Sequence, residues 1–505
     1  MTAPDQASIT LVVDEEKNRV VFAHAGKDFV DVMVSFLTLP LGTIARLVAK
    51  ESNMKKVSVG CLSSLYESVA NLDVKHFWTE TCKEMLLLPR NSMESYCQSL
   101  KLNIDDTESI KYFICEDSGC TRRRESGCLL LSTFRDKRCH CGKLMNREIS
   151  PQSGMMTYDE GFVLDMATFI IYDDLKLKPY NSAVSVLTVI QDYHATKEIT
   201  VNVTKEEMVD LLKCSLLSKT PLTDFFLRKT EFPQCAQPQP TKQLVINFDP
   251  SKADVGVVAI SLKVFLRKSN SKILFALAEQ DFVDLLFSFL TFPLGGVEQM
   301  LNGNSGLGSI DNLYKSMLDL DGNEYMRSLD IKDKFFNYRL AHQFKIKSQI
   351  YPIKEIHPSY YSCFICREII GKPTIYFKDA NDSFSNTKGV FASLNYLEPQ
   401  ASTGDAYRKC GGIGFVKKPL MYMVKDDLVV TPAGPFSTIT FLTKSGIPQE
   451  DLEERRTISI GKAEGLNILK ASLISSSALT NGLTQFLKPI KEENKPIKKQ
   501  KFSYY

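Results

Sequence analysis

Apolar residues in the segment 28–42, DFVDVMVSFLTLPLG, recur at the spacing of one face of an α-helix. The positions i, i+3, i+4, i+7 and i+8 are occupied by Phe29, Val32, Met33, Phe36 and Leu37. This spacing predicts a helix whose apolar side packs into a core. Asp28 and Asp31 lie in its first turn, where negative charge complements the helix dipole, and Pro40 with Gly42 ends the segment.

Almost the same segment occurs again at 281–295, DFVDLLFSFLTFPLG, 253 positions further along the chain. A second pair of similar segments, 161–179 and 414–432, has the same offset. Self-similarity at a fixed offset indicates that the chain contains two related halves. We expect the repeated segment to form a core helix rather than a docking motif, because its apolar positions are spaced for burial.

Runs that favour β-strands precede each predicted core helix. Residues 8–27 alternate in polarity, turn at 14–18 and alternate again, and comparable runs lie at 182–205, 259–280 and 437–462. Each run predicts strand, turn and strand, followed by a helix. A hairpin that buries its apolar face under the following helix gives a two-layer α+β module.

The predicted fold class is therefore α+β, a tandem repeat of β-hairpin–helix modules with two halves of two modules each. The first half covers residues 1–232, with modules at about 8–105 and 162–230. A proline-rich linker, 233–243, separates it from the second half, 244–487. The lysine-rich tail 488–505 has no core pattern and is predicted to be disordered.

Three stretches of the chain carry a resemblance to a known family. They are VVFAHAGKDFVDVMVSFLTLPLGTIARL at 20–47, STFRDKRCHCGKLMNREI at 132–149 and MVKDDLVVTP at 423–432. Together they resemble plant proteins of the domain-of-unknown-function 674 family. The resemblance covers nearly the whole chain and implies a plant origin and an intracellular protein. It supplies no activity, and no catalytic residues are carried over from it.

The strongest chemical signal is a cysteine-rich insert in the first half, residues 112–145. Two close cysteine pairs, C-x4-C and C-x-C, resemble a zinc ribbon or knuckle and consist of Cys115, Cys120, Cys139 and Cys141. Four thiolates in a tetrahedron are the ligand set that Zn²⁺ prefers, so we expect one structural zinc ion here. Gly142 would allow an unusual backbone angle in the turn beside the metal. Reduced cysteines without metal are the alternative, and Cys128 and His140 are spare ligand candidates.

The second half carries a degenerate version of this insert, at 360–412. Cys366 aligns with Cys115, while Cys363 and Cys410 are the other cysteines there. His357 is a candidate fourth ligand, but the spacing does not demand it. Because a closed zinc site needs four ligands, a metal-free version is favoured over a second, weaker zinc site.

Composition narrows the class of protein further. The chain has 505 residues, of which 44% are apolar and 24% charged, as in globular proteins with substantial cores. A net charge of +3 does not favour a nucleic-acid partner, although basic residues around the cysteines keep nucleic-acid binding as a minor alternative. Thirteen cysteines without a secretory signal or a transmembrane segment predict a reduced, cytoplasmic or nuclear protein.

Searches for catalytic motifs give no positive result. The glycine-rich stretch 303–308 follows a predicted helix rather than a strand, and therefore predicts a loop rather than a phosphate-binding cradle. The pairs Asp173–Asp174 and Asp426–Asp427 each lie between strand-like runs and are predicted to form hairpin turns. The sequence thus favours a non-enzymatic scaffold or protein-interaction protein with a structural zinc site. An enzyme or small-molecule-binding protein with a site between the halves is the alternative, and the oligomeric state stays open.

Overall fold

The structure is a computed structural model. It describes residues 6–51, 54–117, 130–135, 137–149, 161–180, 196–228, 260–351, 354–356, 359–363, 375–378, 391–397, 414–418, 420–454 and 457–487. The predicted linker 233–243 and the predicted tail 488–505 lie outside these ranges.

Eight strands and seven α-helices are described in the first half. The strands are β1 Ala7–Asp14, β2 Arg19–Ala25, β3 Tyr112–Ile114, β4 Leu130–Leu131, β5 Arg147–Ile149, β6 Phe169–Tyr172, β7 Leu177–Pro179 and β8 Thr196–Val203. The helices are α1 Lys27–Ser35, α2 Leu41–Val48, α3 Leu62–Asn71, α4 Glu80–Leu87, α5 Glu94–Gln98, α6 Lys205–Leu217 and α7 Pro221–Phe226.

The described part of the second half contains eleven strands and eight α-helices. The strands are β9 Ile260–Arg267, β10 Lys272–Ala278, β11 Arg339–Ala341, β12 Lys354–Ile356, β13 Ser359–Cys363, β14 Ile375–Lys378, β15 Phe391–Tyr396, β16 Tyr422–Lys425, β17 Val430–Pro432, β18 Leu452–Glu454 and β19 Ile458–Ile460. The helices are α8 Gln280–Ser288, α9 Leu294–Met300, α10 Gly308–Asp319, α11 Gly322–Tyr325, α12 Leu329–Phe336, α13 Pro435–Lys444, α14 Lys462–Ile474 and α15 Ala478–Gly482.

The mixed α+β class is confirmed, and the core helices α1 and α8 and the hairpins before them lie where the sequence predicts them. Helices α1 and α8 are followed by 3-10 turns at Phe36–Thr38 and Phe289–Thr291, and their apolar faces are buried. The hairpins β1–β2 and β9–β10 are antiparallel. The aspartate pairs form the turns between β6 and β7 and between β16 and β17, as predicted. Residues 303–307 form a loop between α9 and α10, as predicted, and Gly308 begins α10.

One predicted strand is wrong. The run 437–443, STITFLT, alternates in polarity but lies inside helix α13. Pro435 takes the first turn of this helix, where its fixed backbone angle favours a helical start. On the inner side, the ring of Phe441 contacts Phe275 of the sheet, with 5.7 Å between ring centroids. The first strand predicted in the corresponding run of the first half falls within 181–195, outside the described residues.

Each half has one main sheet with the hairpin at its centre. The order is β7-β6-β2-β1-β8 in the first half and β17-β16-β10-β9 in the second, where both β18 and β19 pair with β9. Strands of both predicted modules of a half therefore share one sheet. The elements of the two sheets match at the sequence offset, since β1 begins at Ala7 and β9 at Ile260, and 260 − 7 is 253.

The two halves meet where the repeated Pro-Leu-Gly segments cross. Pro40 and Pro293 form an isolated antiparallel bridge. The N–H of Leu41 donates to the Phe292 carbonyl at 2.8 Å, and the N–H of Leu294 donates to the Leu39 carbonyl at 2.9 Å. A continuous apolar core includes buried residues from both halves. The repeated segment thus packs in the core and also joins the halves.

Away from this crossing, each half places helical segments against the strands of the other. The N–H of Val430 in β17 donates to Ser68 Oγ of α3, and the N–H of Leu177 in β7 donates to Ser316 Oγ of α10, both at 3.0 Å. Two further bridges have the same reciprocal character and join Phe77 to Val416 and Val163 to Met326. Each half therefore makes the same kinds of contact with the other half.

A buried aspartate in helices α1 and α8 accepts hydrogen bonds from the segment that precedes β6 or β16 in the same half. Asp31 Oδ1 accepts hydrogen bonds from the N–H groups of Phe162 and Val163, both at 2.9 Å. In the second half, Asp284 Oδ1 accepts from the N–H groups of Phe415 and Val416, at 2.7 and 3.1 Å. The sequence predicts Asp31 in the first turn of the helix, where it would complement the helix dipole. The structure has only Asp28 in the first turn, and the Asp31 side chain is buried against the segment that precedes β6.

Burial raises the pKa of both carboxyl groups. The pKa of Asp284 rises to about 7, and that of Asp31 to about 6, although the accepted backbone N–H groups pull both values down. Lys27 Nζ lies 3.4 Å from Asp31 Oδ2 and lowers its pKa further, whereas Gln280 occupies the corresponding place beside Asp284. The uncharged neighbour in the second half is consistent with the higher pKa there.

As the pH rises from 5 to 8, ionisation of these carboxyl groups is expected to lower the free energy of unfolding. The folded state holds the Asp284 proton more tightly than an unfolded chain, whose aspartate titrates near 3.8. The stabilisation is therefore complete below about pH 4 and is lost as the pH rises through about 7. Asp284→Asn keeps the Oδ1 acceptor but cannot ionise. We therefore expect the free energy of unfolding of this variant to fall by about 2 kcal/mol less than that of the wild type between pH 5 and pH 8.

Urea unfolding at pH 5, 6, 7 and 8 measures this effect. Asp28→Asn is the control, because the Asp28 side chain is 43% exposed and pairs with Lys101 on the surface. A pH profile of Asp284→Asn that coincides with the wild-type profile would contradict the assignment.

Candidate metal centre

The cysteine-rich insert is built from short strands and a tight turn. Cys115 directly follows β3, and Cys139 with Cys141 lies on the turn before β5. The turn is closed by two backbone hydrogen bonds, from Cys139 N–H to the Lys143 carbonyl and from Gly142 N–H to the Cys139 carbonyl, both at 2.8 Å. Gly142 has φ +83°, which confirms the unusual backbone angle predicted beside the cysteines.

Three of the predicted ligands come together. The Sγ atoms of Cys115, Cys139 and Cys141 all lie within 4.8 Å of one another. The separation of the Cys115 and Cys141 sulfurs is 3.5 Å. Four sulfurs at about 2.3 Å from a tetrahedral Zn²⁺ are roughly 3.8 Å apart, and the separation between Cys115 and Cys141 is close to this value.

The environment of the sulfurs is largely apolar. Cys115 and Cys139 are buried, whereas Cys141 is exposed. The pKa of the Cys115 thiol is raised to about 12, mainly by burial and in smaller part by the neighbouring Cys141 and Cys139 thiols. A metal ion that binds here must displace that proton, as metal binding to thiols generally does.

Most of the other candidate ligands lie outside the described residues. Cys120 and Cys128 fall within 118–129, outside the described residues. His140 is described and exposed, but it is not part of the group of close sulfurs. For the weaker second site, Cys363 ends β13, while Cys366 and Cys410 lie outside the described ranges, as does His357. The prediction of a degenerate second cluster therefore stays a prediction.

Strands of the second half complete the surroundings of the cluster. Strand β15 pairs in parallel with β4, and the N–H of Leu397 donates to the Leu131 carbonyl at 2.7 Å. Thr133 Oγ1 and the Tyr396 hydroxyl are 2.8 Å apart. Leu397 also joins the small apolar cluster around the cysteines, together with Phe113, Leu130 and Met145.

Sequence reasoning missed this contact between the two inserts. The repeated string Phe-Ile-Cys, at 113–115 and 364–366, pointed to equivalent inserts but not to the pairing of β4 with β15. A pairing between distant short strands has no local signal in the sequence, because neither strand alone determines its partner.

A cavity of about 740 Å³ lies beside the insert. One wall is formed by α4, α5 and the loop 103–111, and the other by insert residues Phe113, Thr133, Phe134 and Arg135. Gln343 of the second half also lines it. Glu94 in this lining has a raised pKa, because burial disfavours its charged form. The volume is in the range of small-molecule sites, and its lining is rich in charged side chains.

The described residues define a mixed α+β protein with a cluster of three close cysteine sulfurs. The chain belongs to the family described as "Protein of unknown function (DUF674)", whose model matches residues 3–463. No curated protein and no solved structure matches the chain. Within the described ranges, every helix is too short or too polar to cross a membrane.

Proposed function

We propose that the protein is a non-enzymatic intracellular scaffold whose cysteine-rich insert is held by one structural Zn²⁺. The proximity of the three sulfurs supports the metal, since they lie within 4.8 Å of one another. Cys120, five residues beyond Cys115, is the proposed fourth ligand. Four protein ligands leave no open position on the metal, which is the arrangement of structural rather than catalytic zinc sites.

A structural role also suits the size of the insert. Its apolar clusters contain few residues, and its strands are two or three residues long. Such a small core stabilises little by burial, so a metal bond to the turn at 139–142 would contribute much of the folding free energy.

Exposed apolar side chains support the interaction role. On helix α13, Phe436 is 86% exposed and Ile439 is 61% exposed. They are three positions apart and therefore lie on one face of the helix. Large apolar side chains grouped on a helix surface are available to a protein partner.

We also propose that the two halves arose by duplication and fusion of one unit. The matching offsets of the sheets and the reciprocal bridges between the halves support this origin. In such a fusion, the contacts between halves take the place of the interface between two copies of the ancestral unit.

Zinc analysis tests the metal part of the proposal. Purified wild-type protein is expected to carry about one Zn²⁺ per chain, measured by elemental analysis, because only the first cluster has four cysteines. Cys139→Ser is expected to lose the zinc and to increase hydrogen exchange in 130–149, since the metal affinity is folding free energy there. Cys82→Ser is the matched control, because Cys82 is buried in α4 and its sulfur contacts Thr79. Metal-free wild-type protein, or Cys139→Ser with full zinc content, would contradict the proposal.

The second candidate function is small-molecule binding in the 740 Å³ cavity. The cavity supports it because Gln343 of the second half lines it together with residues of the first half, and the alternative expected from the sequence was a site between the halves. Mass spectrometry of protein purified natively from plant tissue separates the two functions. A stoichiometric small molecule that co-purifies would favour the cavity, whereas protein partners without such a molecule would favour the scaffold.

A further inference from the structure

The three clustered cysteines differ in their access to solvent. Cys141 is exposed, while Cys115 is buried behind it, and their sulfurs are 3.5 Å apart. Four cysteines outside the cluster, Cys61, Cys82, Cys97 and Cys214, are buried, and their sulfurs contact Ser475, Thr79, Thr38 and Met54. An oxidant from solvent therefore meets Cys141 before any of them.

The sulfurs of Cys115 and Cys141 are close enough for a small movement to join them in a disulfide. A disulfide bond is about 2.05 Å long, so the two sulfurs need to approach by roughly 1.5 Å. Side-chain rotation at an exposed cysteine on a turn can supply a movement of this size. Cys139 and Cys141 are two positions apart on the same tight turn, which makes a bond between them less favourable.

We propose that hydrogen peroxide oxidises Cys115 and Cys141 to a disulfide, and that formation of this disulfide releases the zinc ion. This inference rests on the proposed zinc site. The Cys141 thiolate attacks hydrogen peroxide and becomes a sulfenic acid, with release of hydroxide. The Cys115 thiolate then attacks the Cys141 sulfur, forming the S–S bond and releasing a second hydroxide. Two thiolates lose two electrons, one peroxide gains them, and two protons convert the hydroxides to water.

Loss of both thiolates removes two of the four proposed ligands, so the remaining pair cannot retain zinc in a closed site. The effect is transmitted through the backbone beside Cys115. Glu116 N–H donates to the Leu144 carbonyl at 3.0 Å, and Phe113 exchanges backbone hydrogen bonds with Ser132 at 2.7 and 2.9 Å. Phe113 and Thr133 line the cavity, and Leu131 accepts the hydrogen bond from the second half. Oxidation is thus expected to loosen the wall shared by the cavity and the other half.

Peroxide titration of the zinc-loaded full chain tests the inference. We expect a chromophoric chelator to record release of about one zinc per chain, with peptide mapping identifying the disulfide between Cys115 and Cys141. Dithiothreitol and added zinc should restore the starting state. Hydrogen exchange in 130–135 is expected to increase at least several-fold on oxidation. Cys61→Ser serves as the control and should behave like the wild type, because Cys61 is buried outside the cluster.

A second measurement covers the case in which substitution alone disturbs the insert. In zinc-free wild-type protein, peroxide should produce the same disulfide, whereas Cys141→Ser should leave Cys115 available to an alkylating reagent after denaturation. If the purified protein binds no zinc, the proposed function itself is contradicted. Protein that binds zinc but keeps it under peroxide, or that forms a disulfide through other cysteines, would overturn this inference alone.

Discussion

Gly414→Ala is expected to destabilise the protein by about 3–5 kcal/mol, because the position has no room for a side chain. Gly414 has φ +92°, and a Cβ atom built there would lie 1.8 Å from Asp284 Oδ2. The carboxylate would have to move away from the N–H groups of Phe415 and Val416, which donate hydrogen bonds to it. Each buried N–H left without an acceptor costs about 1–3 kcal/mol, and the backbone strain adds about 1–2 kcal/mol.

Urea unfolding followed by circular dichroism measures this loss. Gly308→Ala is the matched control, because no atom lies within 4 Å of an added Cβ at the start of α10. The control is expected to remain within about 0.5 kcal/mol of wild type. A Gly414→Ala variant within about 1 kcal/mol of wild type would show that Asp284 does not hold the segment that precedes β16 tightly.

Local patterns in the sequence predicted much of the fold. Helices α1 and α8 and the hairpins before them follow from residue spacing, because their apolar faces are buried under neighbouring elements. The same reasoning failed at 437–443, where a segment rich in β-branched residues forms a helix. There, Pro435 starts a helix and Phe441 packs against the sheet, and this tertiary environment outweighs strand propensity.

Contacts between distant segments were beyond local reasoning. Nothing near Asp31 indicates that its carboxylate accepts hydrogen bonds from residues 162 and 163. A signal did exist, because Gly-Phe-Val recurs at 161–163 and 414–416 together with Asp31 and Asp284 at the same offset. The glycine is required for close approach, since an added Cβ at Gly161 would lie 1.9 Å from Asp31 Oδ2.

The candidate metal centre was predictable for a different reason. Cys139, Cys141 and Gly142 are neighbours in the chain, so their spacing largely determines the turn that presents the sulfurs. Cys115 reaches them through the short β3–β5 pairing, in which Ile114 lies opposite Arg147. The strand from the second half that pairs with β4 has no such local cause, and it was not predicted.

The halves, residues 1–232 and 244–505, are expected to fold only in each other's presence. Each half has its own sheet, but its helical segments contact the strands of the other half. Separation would expose the bridges between Phe77 and Val416 and between Val163 and Met326, together with the apolar core that both halves share. Unpaired backbone groups and exposed apolar surface both oppose folding of an isolated half.

Expression of each half alone is therefore expected to yield aggregated protein or protein without a cooperative unfolding transition. Co-expression of the two should yield a stable one-to-one complex that gel filtration resolves at the size of the full chain. Full-length protein cleaved at a protease site introduced within 233–243 controls for loss of the linker, and its fragments should remain together. The backbone bonds between Leu41 and Phe292 and between Leu294 and Leu39 connect the halves without the linker. A monomeric half that unfolds cooperatively by itself would contradict this dependence, because it would show that the reciprocal contacts are not needed for folding.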